Sequence, residues 1–192
     1  MTKSLRQSKY CRYGKLLRVS KQQPAGRARA DSVIRAEAIR TDPGTRAEAA
    51  RAAADFGAAS DVVDDAAATL LGVNRTDLRI LGLVFDAGAL SAAPLANAAK
   101  LSPAATSTAI QRLVAAGHLT RTVDAADRRR AVVAITPRTV ELLDRIYGPI
   151  GRAGLRELAR YSAAELAVIT DFLHRGRSLQ LAQADRIRSL TT

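Results

Sequence analysis

The stretch "LSPAATSTAIQRLVAAGHLTRTVDAADRRRAVVAITP", residues 101–137, constrains the fold more than any other part of the chain, because its hydrophobic period changes halfway along. Ser102-Pro103 opens it. A serine at the N-cap accepts a backbone N–H, and a proline at the first helical position loses nothing by lacking one. Apolar residues then recur at helical spacing as far as Ala116, and Gly117 supplies a stop. Beyond Gly117 the period falls to two. "LTRTV" and "AVVAI" read as strands joined by "DAADRRR", with Ala131, Val133 and Ile135 facing one side. A helix that ends in glycine and runs at once into a charged hairpin leaves few topologies open.

The residues before it narrow the choice. "SAAPLANAA" reads as a short helix capped by Ser91, and "KLSP" is a tight connection to the next helix. Two short helices joined by three or four residues form a helix-turn-helix signal. On the helix from Pro103, residues Thr106, Ala109, Ile110 and Leu113 share the face expected to dock on the domain. The opposite face carries Ala104, Ser107, Thr108, Gln111 and Arg112. Short hydroxyls, an amide and a guanidinium can reach base edges and phosphates in a major groove. An ordinary solvated face more commonly offers Glu and Lys. The three arginines Arg128, Arg129 and Arg130 exceed what solubility needs at a hairpin tip, where arginine can enter a narrow minor groove.

Flanking helices account for the rest of the folded chain. The first is expected from about Ala47, with Phe56, Val63, Ala67, Leu70 and Leu71 at helical spacing and Gly72 as its stop. "NRTDLRILGLVFDAG" reads as a second, with Thr76 as N-cap and Leu78, Leu81, Val84 and Phe85 on one face. Gly82 within it costs helix propensity, and close helix-helix approach is the expected compensation. After the hairpin, Thr136-Pro137 restarts a helix that Gly148-Pro149 is expected to kink or break. Ser162 caps the last helix, where Ala163-Ala164-Glu165 completes a capping box. Leu166, Ile169, Leu173, Leu179 and Ile187 supply its apolar side.

Composition decides which partners to consider. Of 192 residues 47% are apolar but only 4% aromatic, which favours helices packed through small side chains. The net charge of +12 suggests a polyanionic partner, but it is unevenly spread. Residues 1–51 hold 13 basic groups against four acids, and the other 141 hold 17 against 14. Residues 1–45 therefore read as a basic extension, expected to be disordered, with a charge at every third position from Lys3 to Lys21 and no amphipathic face. A phosphate-binding arm, a solvated tail, and sequence upstream of the true start all fit it. The single cysteine, Cys11, points to a reducing, cytoplasmic setting. No apolar run is long enough to span a membrane, and no apolar segment follows the basic N-terminus as a secretory signal would require. His118 and His174 are isolated, so no zinc site is expected, and a buried or hydrogen-bonded role suits His118. No nucleophile-base set, P-loop or paired acids argue for an enzyme, and no cofactor is expected.

Helix, helix, helix-turn-helix, charged hairpin and long helix, in that order, resemble a MarR-family transcriptional regulator over about residues 50–175. The resemblance is carried by "LSPAATSTAIQRLVAAGHLTR", "DAADRRRAVVAIT" and "PRTVELL". It implies a mainly α fold with a small β-hairpin wing, a winged helix-turn-helix flanked by dimerisation helices. The DNA-binding lobe would occupy about 76–136 and the dimerisation helices about 46–72 and 137–190, within a domain of 46–192. It implies a homodimer on double-stranded DNA carrying a pseudo-palindromic operator, and repression released by a small aromatic ligand. Ser102, Pro103, Ala104, Ser107, Thr108, Gln111 and Arg112 would form the recognition helix's contact set. Asp127 would orient a wing guanidinium, Arg129 by the family's pattern, beside Arg128 and Arg130. At Thr108 the sequence departs from the longer basic residue common in such regulators. Phe56, Phe85 and Tyr147 are candidates to line a ligand cleft, with an apolar core role as the alternative for each. The competing function is a non-sensing architectural protein that binds nucleic acid without sequence choice, and a third is a winged-helix module for protein interaction.

Overall fold

A computed structural model describes residues 42–123 and 131–190. Among these residues six helices and three strands follow one another: α1 (Pro43–Leu71), α2 (Arg75–Ala87), β1 (Ala89–Ser91), α3 (Ala92–Ala99), α4 (Pro103–Ala115), β2 (Leu119–Val123), β3 (Ala131–Ile135), α5 (Pro137–Leu158) and α6 (Ala163–Ser189). The fold is mainly helical with a small antiparallel sheet, as the sequence implies.

Local chemistry sets most of these boundaries. α1 opens four residues earlier than the sequence suggested, because Asp42-Pro43 repeats the cap-plus-proline device: Asp42 Oδ2 accepts the Gly44 N–H at 2.9 Å. It closes at Gly72, in the left-handed region at φ +65°, where the Gly72 and Val73 N–H groups bond back to the carbonyls of Thr69 and Ala68. α2 is capped by Asn74 and not by Thr76, with the Asp77 N–H on Asn74 Oδ1 at 2.8 Å. The expected compensation for Gly82 is not there: a Cβ at that position would meet nothing within 4 Å. α5 runs unbroken through Pro149, so Gly148-Pro149, expected to kink or break the helix, does not end it. At Ser162 the capping box forms in full, and the hydroxyl and N–H of Ser162 hold the Glu165 carboxyl below its ordinary range.

The chain divides into two compact units, whose boundaries fall inside α1 and α5. The unit of Ala52–Arg152 holds the core. Ile80, Leu81 and Val84 of α2, Leu95 of α3, and Ile110 and Leu113 of α4 are fully buried. Ala67 and Leu71 of α1 and Leu143 and Tyr147 of α5 extend the same cluster. β3 lies at the centre of the sheet, between β1 and β2, with Leu90 opposite Val133 and Val123 opposite Ala131. β1 is a strand the sequence reading did not anticipate.

The second unit comprises residues 42–51 and 153–190 among those described. α6 buries none of its 27 residues, and Phe172, Leu173, Leu179 and Ile187 are all more than half exposed. No helix among the described residues is long and apolar enough to cross a membrane.

Candidate nucleic-acid interface

α4 is fixed at both ends by backbone chemistry. At its start the Ser102 hydroxyl accepts the Ala105 N–H at 3.2 Å, with Pro103 in the first turn. At its end Gly117, at φ +73°, lets the Gly117 and His118 N–H groups reach the carbonyls of Val114 and Leu113. This is the paired closure that satisfies a helix's last carbonyls and needs a residue tolerant of positive φ. Between these ends Thr106, Ala109, Ile110 and Leu113 are buried, the four positions assigned from spacing to the docking face. Ser102, Pro103, Ala104, Ser107, Thr108, Gln111 and Arg112 are all exposed. The Thr108 hydroxyl donates to the Ala104 carbonyl at 3.0 Å, which occupies its hydrogen within the helix.

Arg112 differs from its neighbours. Its Nε donates to Asp77 Oδ2 at 3.1 Å and its Nη2 to Asp77 Oδ1 at 2.7 Å, a two-point pairing across 35 residues of sequence. The Arg112 side chain is 48% exposed and that of Asp77 only 5%. Asn74 Nδ2 adds a third donor to the same carboxylate at 3.1 Å. The hydrogen bonds it donates to Asp77, and then that residue's charge, raise the guanidinium's proton affinity above its ordinary value. A second arginine, Arg75, bridges α2 to α1 through Asp61 and Asp65, and its proton affinity is likewise raised, chiefly by the Asp61 hydrogen bond.

His118 stands where α4 gives way to β2. It is buried, with Nε2 2.9 Å from the Leu71 carbonyl oxygen and Nδ1 3.1 Å from the Thr139 hydroxyl. A carbonyl can only accept, so Nε2 carries the proton and the Thr139 hydroxyl donates to Nδ1. The Leu71 carbonyl is one of the orphaned acceptors at the end of α1, and an imidazole 47 residues away satisfies it. Thr136 continues the network, its hydroxyl 2.9 Å from the Gly117 carbonyl and 3.0 Å from Thr139 Oγ1. The hydrogen-bonded role expected for His118 is therefore what the structure shows, and among the described residues no cluster could hold a metal.

The wing is paired as far as Val123 and Ala131. Asp127, Arg128, Arg129 and Arg130 lie outside the described residues, as do residues 1–41 of the basic extension. Arg121 on β2 is exposed. The three candidate cleft aromatics have different settings. Phe56 is 72% exposed on α1, Phe85 packs half-buried against the core, and Tyr147 is buried with its hydroxyl on Asp64 Oδ1 at 3.2 Å. A pocket lined by Leu70, Leu71, Gly117, His118, Arg138 and Leu142 is bordered by none of the three.

Sequence reasoning missed Asp77 and Asn74. The signal was there in part: Asn74 and Asp77 stand three apart at a helix start, the spacing at which a cap and an acidic residue cooperate. Nothing local revealed Arg112 as their partner.

Comparison with known proteins agrees with this architecture. Residues 71–130, from the end of α1 to the end of the wing loop, match the MarR family. An HTH-type transcriptional regulator of Bacillus subtilis, YcgE, is 26% identical over 123 residues, 64% of this chain and 80% of that protein. A mutant of MepR from a multidrug-resistant Staphylococcus aureus clinical isolate superposes with a TM-score of 0.55 at 16% identity, over 68% of this chain and 96% of that one. The multiple antibiotic-resistance repressor MarR of Listeria monocytogenes gives 0.50 at 14% identity, over 73% and 97%. At these identities the structural likeness is one of fold, and the sequence match at 71–130 adds that this part of the chain is similar to the MarR family.

Proposed function

We propose that the chain acts as a homodimeric, sequence-specific repressor, reading a pseudo-palindromic operator with α4 and gripping the flanking minor groove with Arg128, Arg129 and Arg130. The observation that carries this is the division of α4. Four residues lock one face into the core while Ser107, Thr108, Gln111 and Arg112 stay exposed on the other. A helix held at both ends, with a hydroxyl-, amide- and guanidinium-bearing face outward, has the chemistry of major-groove readout. Exposed apolar residues on α1 and α6 support association with a second copy, which would set two recognition helices one helical turn of DNA apart. Release by a small aromatic ligand rests on the family resemblance alone.

The test is selection from a library of fragments of the source genome at moderate salt. Recovery of one palindromic sequence is the expected result. Uniform, strongly salt-dependent retention of all fragments would instead identify an architectural DNA-binding protein, and no retention a protein-interaction module.

A further inference from the structure

The Arg112 guanidinium has five N–H donors, and Asp77 occupies two of them. Three remain on a side chain that is half exposed, on the outward face of α4. Its partner is set deeply: Asp77 is buried, its backbone N–H is fixed by Asn74 Oδ1, and its carboxylate also accepts from Asn74 Nδ2. A free arginine loses substantial rotamer entropy on binding, whereas one already clamped in a two-point pair has given it up on folding.

We propose that Asp77, held by Asn74, is a positioning residue: it clamps one edge of Arg112 so that the opposite edge meets a DNA phosphate when α4 lies in the major groove. Asp77 never touches DNA, and it lowers the cost of the contact by fixing the guanidinium beforehand. This rests on the DNA-binding reading of α4 above.

Charge and positioning make opposite predictions for Asp77→Asn. Removing an acid from a DNA-binding face strengthens attraction for a polyanion, so charge alone tightens binding. Loss of the clamp loosens it, and the expected result is an affinity decrease on the order of tenfold despite the added positive charge. Arg112→Gln can still donate to Asp77 but carries no charge, and its plot of log affinity against log salt should be shallower by about 0.9, one phosphate's worth. Arg112→Lys keeps the charge but not the fork; it should keep the wild-type slope with weaker binding. A purely structural role moves stability without moving the slope. Affinities are measured by fluorescence anisotropy on the selected operator, with melting curves taken on each variant. Tighter binding by folded Asp77→Asn, or an unchanged slope for Arg112→Gln, overturns the proposal while leaving DNA binding intact. If Asp77→Asn does not fold, the Gln and Lys slopes decide. A folded wild-type protein that retains no DNA overturns this proposal and the DNA-binding reading together.

Discussion

His118 shows how a single side chain can join three elements. Its ring is donor to the last carbonyl of α1 and acceptor from the first turn of α5, and its own backbone N–H closes α4. Replacing it with leucine would fill much of the space but leave the Leu71 carbonyl buried without its donor, at a cost of about 1–3 kcal/mol. His118→Gln, whose amide can still donate to that carbonyl, should lose less. Urea denaturation of both variants tests this, and equal losses would mean that ring packing rather than hydrogen bonding holds the junction. A buried or hydrogen-bonded role for His118 was legible from its place where the chain enters the wing. Its partners were not legible. Leu71 and Thr139 are 47 and 21 residues away, and only the packed core brings them to the ring. The same limit hid Arg112 behind Asp77. Helical spacing says which side of α4 faces inward, and it does so correctly at Thr106, Ala109, Ile110 and Leu113. It says nothing of where an outward arginine curls.

Elements were more legible than their contacts, and where they were misread the reason is local. β1 has three residues, too few for an alternating pattern to emerge, and it exists because Leu90 pairs with Val133, 43 positions later. Asn74 displaced Thr76 as the cap of α2 because asparagine caps at least as well and Asp77 then falls at the third helical position, where it can return a hydrogen bond. α5 tolerates Pro149 although proline removes one helical hydrogen bond, and buried Gly148 and Gly151 flank it. Gly82 is the informative case. The sequence suggested that its missing side chain admits a neighbouring helix, yet open space surrounds the position, and its φ is not in the left-handed region. Among the described residues the glycine therefore gives up helix propensity without a packing return. Gly82→Ala should stabilise the protein by about 0.5–1 kcal/mol, seen as a higher melting temperature with operator affinity unchanged. A loss of stability would show that the space beside Gly82 is filled in the working assembly.

At the scale of the whole molecule, the two compact units contrast in what they bury. The unit of Ala52–Arg152 contains every residue of the hydrophobic cluster. α6, in the other, buries nothing, though Phe172, Leu173, Leu179 and Ile187 expose large apolar surfaces along it. A solitary helix is marginal in water even with good capping, since its stability in proteins comes mainly from tertiary packing of an apolar face. The capping box at Ser162 and the ion pairs Asp171–Arg175 and Asp185–Arg188 contribute little against that requirement, the pairs being surface interactions. In the proposed homodimer a second copy of the chain would supply that packing, with matching helices at the same concentration. The protein should therefore sediment at twice its 20.4 kDa chain mass at micromolar concentration. Joint replacement of Phe172 and Leu173 by aspartate should shift it to the monomer, because two desolvated carboxylates in an apolar interface cost more than the lost contacts. Operator affinity should then fall far more than α4 mutations alone would explain, since each half-site must be bound separately and the gain from linking two modest interactions is lost. The core unit, which contains neither residue, should keep its helical signal and its melting cooperativity. A variant that stays at twice the chain mass places the self-association surface elsewhere than α6; a monomer that binds the full palindrome as tightly as wild type removes dimerisation from the mechanism of DNA recognition.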